Sequence, residues 1–243
     1  MVVKSEIKLI KNLQQKKYRS QNGLFVAEGR KTVSDLLRSS YKVHKVYSTE
    51  ASILEETQAE SVLITQAELR KMSGLQSPNT VLGVFHIPRD SPLDFQDWVL
   101  ALDAVRDPGN LGTIIRLCDW YGIGQLVCSP DTVDCYNPKT LQATMGSIAR
   151  VKVVYAELDQ VLNQSEIPVF GAFMEGEPVY EADFPQAGIL LMGNEAHGIS
   201  DSLAKMVGRQ IGIPPFGKPG AESLNVAMAT AILLHELRRP TRK

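Results

Sequence analysis

The 243-residue chain is poor in cysteine and histidine and has no long apolar run. Each shortage closes a class of function. Cys118, Cys128 and Cys135 form neither a C-x-x-C pair nor an even set, so they read as reduced thiols of a cytoplasmic protein. The four histidines are scattered without metal-ligand spacing, and no metal is expected. No apolar stretch reaches the roughly 18 residues of a membrane helix. The opening MVVKSEIKLIKN lacks the apolar core of a signal peptide, so no membrane partner is expected. There is no internal repeat and no low-complexity segment. No G-x-G-x-x-G opens a helix after a strand, which leaves a Rossmann cofactor site unsupported. Residues 212–219, GIPPFGKP, imitate a phosphate loop, but Pro219 stands where Ser or Thr would hold magnesium. Pro214 and Pro215 also lack amide protons to cradle phosphate. A nucleotide-triphosphatase is therefore rejected.

What is present is an ordinary globular composition, 44% hydrophobic and 22% charged, with an uneven charge distribution. Residues 1–45 carry eleven Lys or Arg against three acidic residues, while the whole chain is −1. That asymmetry points to a basic face that meets a polyanion. Lys4, Lys8, Lys11, Lys16, Lys17 and Arg19 come early and close together. Ile7, Ile10 and Leu13 form an apolar stripe beside them, so a plain solvated helix accounts for this segment equally well.

Periodicity predicts helices over 5–15, 30–39 and 66–72 and strands over 43–48, 61–65 and 81–87. Residues 87–97, IPRDSPLDFQD, hold two prolines and no periodicity, and mark a boundary. Beyond it, buried strands are expected at 99–103, 125–129, 151–155, 169–173, 189–192 and 210–213. Helices are expected near 110–121, 138–148, 157–164 and 200–207, with a last one over 223–239. Alternating strands and helices imply a parallel sheet covered on both faces, with ligands outside the carboxyl ends of its strands.

Three strand ends stand out. After Asp103, the turn Arg106–Asp107–Pro108–Gly109–Asn110 leads into a helix with Asn110 as the expected N-cap. Arg116 follows six residues later. The two are 240° apart if both are helical, so they share a face only if Asn110 lies outside the first turn. A cap explains Asn110 by itself, and a surface ion pair explains Arg116. At the second end, an apolar strand runs into Met192, Gly193, Asn194 and Glu195. Glu195 is either functional or a helix-start charge. His197 beside it is a lone loop histidine. At the third, Ile213 enters a Pro/Gly loop, and Ser223 is the expected N-cap of a last helix apolar nearly all round, hence largely buried. That helix suits a ligand loop, a core or a dimer interface.

Together and in this order, these segments resemble the three motifs of the SpoU (TrmH-type) family of RNA 2′-O-ribose methyltransferases, of the SPOUT class. The first motif is matched by Asp107, Pro108, Asn110, Gly112, Ile114 and Arg116. The second is matched by Met192, Gly193, Glu195, Gly198 and Ser200, and the third by Ile213–Pro214 and Ser223–Leu224–Asn225–Val226. The likeness spans roughly residues 99–240. Residues 1–90 resemble, more loosely, a small L30e-like substrate-binding domain, including FVAEG at 25–29. The loop from Ile213 to Ser223 is a residue or two longer than the usual pattern.

The resemblance implies an α/β fold: an L30e-like domain (1–90), a linker (91–98) and a parallel sheet with a C-terminal trefoil knot (99–243). It implies a homodimer that uses S-adenosylmethionine, with Met192, Gly193, Ile213 and Leu224 lining the cofactor pocket. Asn110, Arg116, Glu195, Ser223 and Asn225 would form the catalytic set. Lys11, Lys16, Lys17, Arg19 and Arg30 would contact RNA, ribosomal RNA ahead of transfer RNA. A guanidinium, with a pKa above about 12, is a poor base. Arg116 is therefore expected to orient the hydroxyl and stabilise the developing alkoxide. Two rivals are a knotted enzyme that methylates a base and a non-catalytic RNA-binding protein of the same fold.

Overall fold

The computed structural model describes residues 2–55, 57–89, 92–217 and 223–239. The chain divides into two compact units, Met1–Asp90 with Asp134–Arg150, and Ser91–Val133 with Val151–Lys243.

In chain order the first unit contains α1 (Lys4–Asn12), α2 (Lys16–Asn22), β1 (Leu24–Glu28), α3 (Arg30–Leu37), β2 (Val43–Ser48), α4 (Ala51–Glu55), β3 (Ser61–Leu63), α5 (Gln66–Met72) and β4 (Val81–His86). Its sheet runs β1-β4-β2-β3, with β2 and β3 parallel and the other pairs antiparallel. Ile10, Leu13, Leu24, Val26, Tyr47, Leu69, Met72 and Leu82 form one core cluster. The helix expected over 5–15 stops at Asn12, and α2 follows it and ends on Gly23 in the left-handed region (φ 62°). Strand β1 has no alternation to betray it, because Leu24 to Ala27 are all buried. Helix α5 opens with a capping box: Thr65 Oγ1 accepts from Glu68 N (3.2 Å), and Glu68 Oε2 accepts from Thr65 N (2.9 Å).

The second unit continues with β5 (Val99–Leu102), α6 (Pro108–Tyr121) and β6 (Gln125–Cys128). The chain then contributes α7 (Pro138–Thr144) to the first unit before returning. There follow β7 (Lys152–Tyr155), α8 (Leu158–Gln164), β8 (Val169–Pro178), β9 (Ile189–Met192), α9 (Asp201–Ala204), β10 (Arg209–Gly212) and α10 (Val226–Arg238). The sheet order is β10-β8-β9-β5-β6-β7, and every pair is parallel. From β5 the chain steps outward to β6 and β7, then returns to lay β9 on the other edge of β5. The carboxyl ends of β5 and β9 therefore flank a topological switch point, where such sheets bind ligands.

Two local differences from the sequence reading have clear causes. Residues 134–150 lie within the 99–243 stretch of the sequence, yet they pack with residues 1–90. The Tyr136 ring lies 4.4 Å from that of Phe25 between centroids, and Arg150 pairs with Asp35 at 3.2 Å. The helix expected over 138–148 stops at Thr144, because Met145 (φ 51°) and Gly146 (φ 93°) turn left-handed. At φ 93° any side chain at position 146 would be strained, and its Cβ would also press on the Asp35 carboxylate, so glycine suits the position.

Residues 94–98 are anchored in the second unit. Trp98 is buried and donates Nε1–H to Pro185 O (3.2 Å), while Arg238 grips Asp97 bidentately at 2.9 and 2.7 Å. The guanidinium of Arg238 holds the Asp97 carboxyl below its ordinary pKa. No helix among the described residues is long and apolar enough to cross a membrane, and no group of three or more His, Cys, Asp or Glu among them is placed to hold a metal.

Candidate active site

The site begins where β5 ends. Asp103 N donates to Met192 O (2.9 Å), which ties the tips of β5 and β9 together. The buried Asp103 carboxylate accepts from Ser200 N (2.8 Å). Ala104 sits in the left-handed region at φ 55°, held by its own N donating to Ser129 Oγ (2.8 Å) and its O accepting from Asn194 Nδ2 (2.7 Å). Asp103 is thus scaffold.

The first cap differs from expectation. Asp107, one residue before Pro108 at the first helical position, caps α6 by accepting from Asn110 N at 2.8 Å. Asn110 is therefore inside the first turn, and its side chain is free for other work. Its Nδ2 donates to Glu195 Oε1 (2.7 Å), and its Oδ1 accepts from Asn225 Nδ2 (3.0 Å). The last cap also differs: Asn225, in place of Ser223, caps α10 by accepting from Ala227 N (2.9 Å) and Met228 N (3.3 Å). Because the Asn225 oxygen is committed to the helix, its nitrogen must face Asn110. The orientation of each amide follows from the next, and three residues from three strand ends form one chain, Glu195–Asn110–Asn225.

Glu195 is held by a tight loop. Asn194 and Gly198 exchange two backbone bonds of 2.9 Å, and Asn194 Oδ1 accepts from Ala196 N at 2.8 Å. A Cβ at Gly193 would lie 2.1 Å from the Gly198 carbonyl carbon. Only glycine permits that approach. Sequence reasoning quoted Asn194 without a role; its place between a glycine and Glu195 at a strand end was the available signal.

Arg116 is not brought to this network. Both residues lie in α6, so Arg116 stands about 120° round the helix from Asn110. It is exposed, on one stripe with Thr113 and Trp120, and makes no hydrogen bond or ion pair with a described residue. Ser223 is exposed and joins no described hydrogen bond, and Leu224 is 49% exposed. The last helix is less buried than expected: Met228 is 62% exposed, Ile232 is exposed too, and Trp120 of the neighbouring α6 reaches 83%.

The cofactor candidates lie along the same rim. Met192 is buried, Gly193 forms the close turn, and Ile213 is half-buried directly after β10. Next to Ile213, β10 meets β8 across a register shift between Gln210 and Ile211. A Cβ at Gly212 would lie 2.7 Å from Phe173 O, and one at Gly176 2.4 Å from the Ile211 carbonyl carbon. Along this rim backbone thus passes directly against backbone, with no room for a side chain at either glycine. Of the lengthened 214–222 loop, residues 218–222 lie outside the described residues.

The RNA candidates divide. Lys11, Lys16, Lys17 and Arg30 are exposed. Arg19 is 2% exposed; its guanidinium pairs with Asp134 at 2.5 Å and donates to Leu13 O at 2.9 Å. Arg19 is a core ion pair and leaves the RNA set.

The chain matches the model of the SpoU rRNA Methylase family over residues 97–235. It belongs to that family. Residues 4–83 of this SpoU-family protein also match the MRM3-like substrate binding domain. It is similar to the 23S rRNA (guanosine(2553)-2′-O)-methyltransferase of Bacillus subtilis, 31% identical over 240 residues that cover 96% of each chain. Among solved structures it is similar to an AdoMet-bound rRNA methyltransferase from Sinorhizobium meliloti, with a TM-score of 0.88, 31% identity and coverage of 100% and 97%. A TrmH-family structure from Porphyromonas gingivalis matches at TM-score 0.92 and 35% identity, covering 98% and 99%.

Proposed function

We propose that this protein transfers a methyl group from S-adenosylmethionine to a ribose 2′-hydroxyl of ribosomal RNA, in the cytoplasm and as a homodimer. The single observation that carries the reading is the oriented chain Glu195–Asn110–Asn225 at the switch point, which joins side chains from three strand ends. The names of the Bacillus and Sinorhizobium relatives support both the cofactor and the class of RNA.

S-adenosylmethionine supplies an activated methyl on a sulfonium. The backbone of Met192, Gly193, Ile213 and Leu224 would hold it, in the knot that the strand order β10-β8-β9-β5 and the Gly176–Gly212 passage support. Asn110 and Glu195 orient the ribose, and Asn225 fixes Asn110. Ser223 completes the site from the start of the last helix. The exposed stripe of Trp120, Met228 and Ile232 supports the dimer, because apolar surface of this extent is normally covered. A second copy seated there puts Arg116 at the seam, where it orients the hydroxyl and clamps phosphate. Residues 1–90, with Lys11, Lys16, Lys17 and Arg30 exposed, act as the L30e-like RNA-binding part.

Mapping 2′-O-methyl sites in total RNA with and without the gene product tests the reading. One ribosomal site should disappear with the gene, leaving an alkali-labile bond. Loss of a base methyl group instead would make the base-modifying enzyme the answer. No lost mark, with no calorimetric binding of S-adenosylmethionine, would leave a non-catalytic RNA-binding protein.

A further inference from the structure

Behind the exposed chain Glu195–Asn110–Asn225 lies a second, more buried one. Ala104 has a left-handed backbone (φ 55°), which a residue with a Cβ rarely adopts unless its neighbours hold it there. It is held from both sides. Ala104 N donates to Ser129 Oγ at 2.8 Å, and Ala104 O accepts from Asn194 Nδ2 at 2.7 Å. The sense of each bond follows from the next. Thr132 Oγ1 donates to Leu102 O (3.3 Å), so Ser129 Oγ donates to Thr132 Oγ1 (3.1 Å) while it accepts from Ala104 N. Asn194 Oδ1 accepts from Ala196 N (2.8 Å) and His197 N (3.3 Å), so Asn194 Nδ2 must face Ala104 O. Ser129 and Thr132 are buried, and Ala104 and Asn194 are half-buried.

These bonds join three strand ends: Ala104 follows β5, Ser129 follows β6 and Asn194 follows β9. Ala104 stands three residues before Asp107, the cap of the helix that carries Asn110, and Asn194 directly precedes Glu195. Glu195 and Asn110 thus meet from two separate segments, the loop after β9 and the turn that opens α6. Asp103 ties those segments at the strand tip, through Met192 O (2.9 Å), and at the far end of the loop, through Ser200 N (2.8 Å). The bond from Asn194 to Ala104 ties them next to Glu195 itself.

Resting on the function proposed above, we propose that Asn194 is a positioning residue for methyl transfer, acting through Ala104 to set the placement of Glu195 against Asn110. The Asn194 oxygen closes the loop that carries Glu195, and its nitrogen fixes that loop to the turn before α6. Ser129 braces the same turn from the opposite side. Misplacement of a reacting group by about 1 Å can cost on the order of 100-fold in rate, so the brace acts on turnover and leaves RNA affinity alone.

Asn194→Asp isolates the brace. The aspartate still accepts from Ala196 N and His197 N, but it turns an oxygen towards Ala104 O where Asn194 donates. The measurement uses the full chain, saturating S-adenosylmethionine and an RNA fragment spanning the mapped site. The single-turnover rate should fall at least about tenfold in Asn194→Asp, with the RNA dissociation constant unchanged. Ser129→Ala leaves the loop and the exposed chain intact and should lower the rate several-fold in the same way. In an Asn110→Ala background, Asn194→Asp should add less than about twofold, because the placement it sets has lost its partner. Penalties that multiply in the double variant, or a full rate in Asn194→Asp, overturn the proposal. A second readout needs no substrate. The Asn110 side-chain amide signals in heteronuclear NMR spectra should shift in Asn194→Asp and in Ser129→Ala, neither of which alters a residue bonded to the Asn110 side chain. Unmoved signals also overturn it. Ribose methylation by the wild type is read first on the same RNA, so failure of the parent reading appears there, while the amide signals still test the brace.

Discussion

Two polar clusters of this molecule use similar groups for opposite ends. In the first unit Arg19 and Asp134 meet in the core, with side chains 3% and 14% exposed. In the second, Glu195, Asn110 and Asn225 meet at the surface, each open to solvent on one side. The buried pair is sealed from any ligand and can only stabilise or specify the fold. The exposed chain is oriented by its own hydrogen bonds and still has lone pairs and protons to offer. Exposure, more than residue type, separates the structural cluster from the functional one.

The largest effect should come from breaking the buried cluster. Asp134→Ala leaves a guanidinium without its counter-charge and should cost about 3–5 kcal/mol, read as a lower denaturation midpoint. Arg19→Met with Asp134→Leu should recover much of that, since a well-packed apolar pair replaces an ion pair at little cost. A midpoint unmoved by Asp134→Ala would break the comparison.

The exposed cluster should respond the other way. Asn110→Ala, and likewise Arg116→Ala on the other face of α6, should each lower turnover well beyond tenfold while calorimetry shows S-adenosylmethionine still bound and the melting temperature holds. Turnover near normal would remove either residue from the site. A smaller effect separates the two faces of α6. Trp120→Glu should shift the protein towards monomer in sedimentation and lower turnover with it, if Arg116 works at a seam between copies; a dimer that persists would place the interface elsewhere.

The smallest effect sits at α5. Backbone and side-chain hydrogen bonds from Thr65, and the Val2 amide, lower the Glu68 pKa from 4.5 to about 2. A folded pKa below the unfolded one gives stability that is present above pH 4.5 and fades as pH falls towards 2. Glu68→Gln, which removes the titrating carboxyl, should lower the melting temperature by about 3 °C at pH 7 and flatten that acid dependence. An equal acid slope in the variant would assign the dependence to other carboxylates.

Much of the second unit was legible in the sequence. Its strands are continuous apolar runs, because a parallel sheet is buried on both faces, and its motifs sit at strand ends, where loops are free to carry chemistry. The caps were less legible. Asp107, Asn110, Ser223 and Asn225 are all good capping residues, and local propensity cannot choose among neighbours when the helix start moves by two or three positions. The basic N-terminal run was legible as charge only. Lys11, Lys16 and Lys17 stay exposed, while Arg19 turns inward, because its partner Asp134 lies 115 residues away.

By itself, then, the sequence determined the alternation of strands and helices and the three strand ends that carry polar side chains. Those are short-range facts, set by side-chain volume, periodicity and allowed dihedrals. The tertiary structure alone decided that residues 134–150 join the first unit. It also decided that Asn110 links Glu195 to Asn225, that Arg116 faces away from them and that Arg19 is core. Each of these depends on which distant segment closes over a side chain, and burial and hydrogen bonding of that kind exist only once the chain has folded.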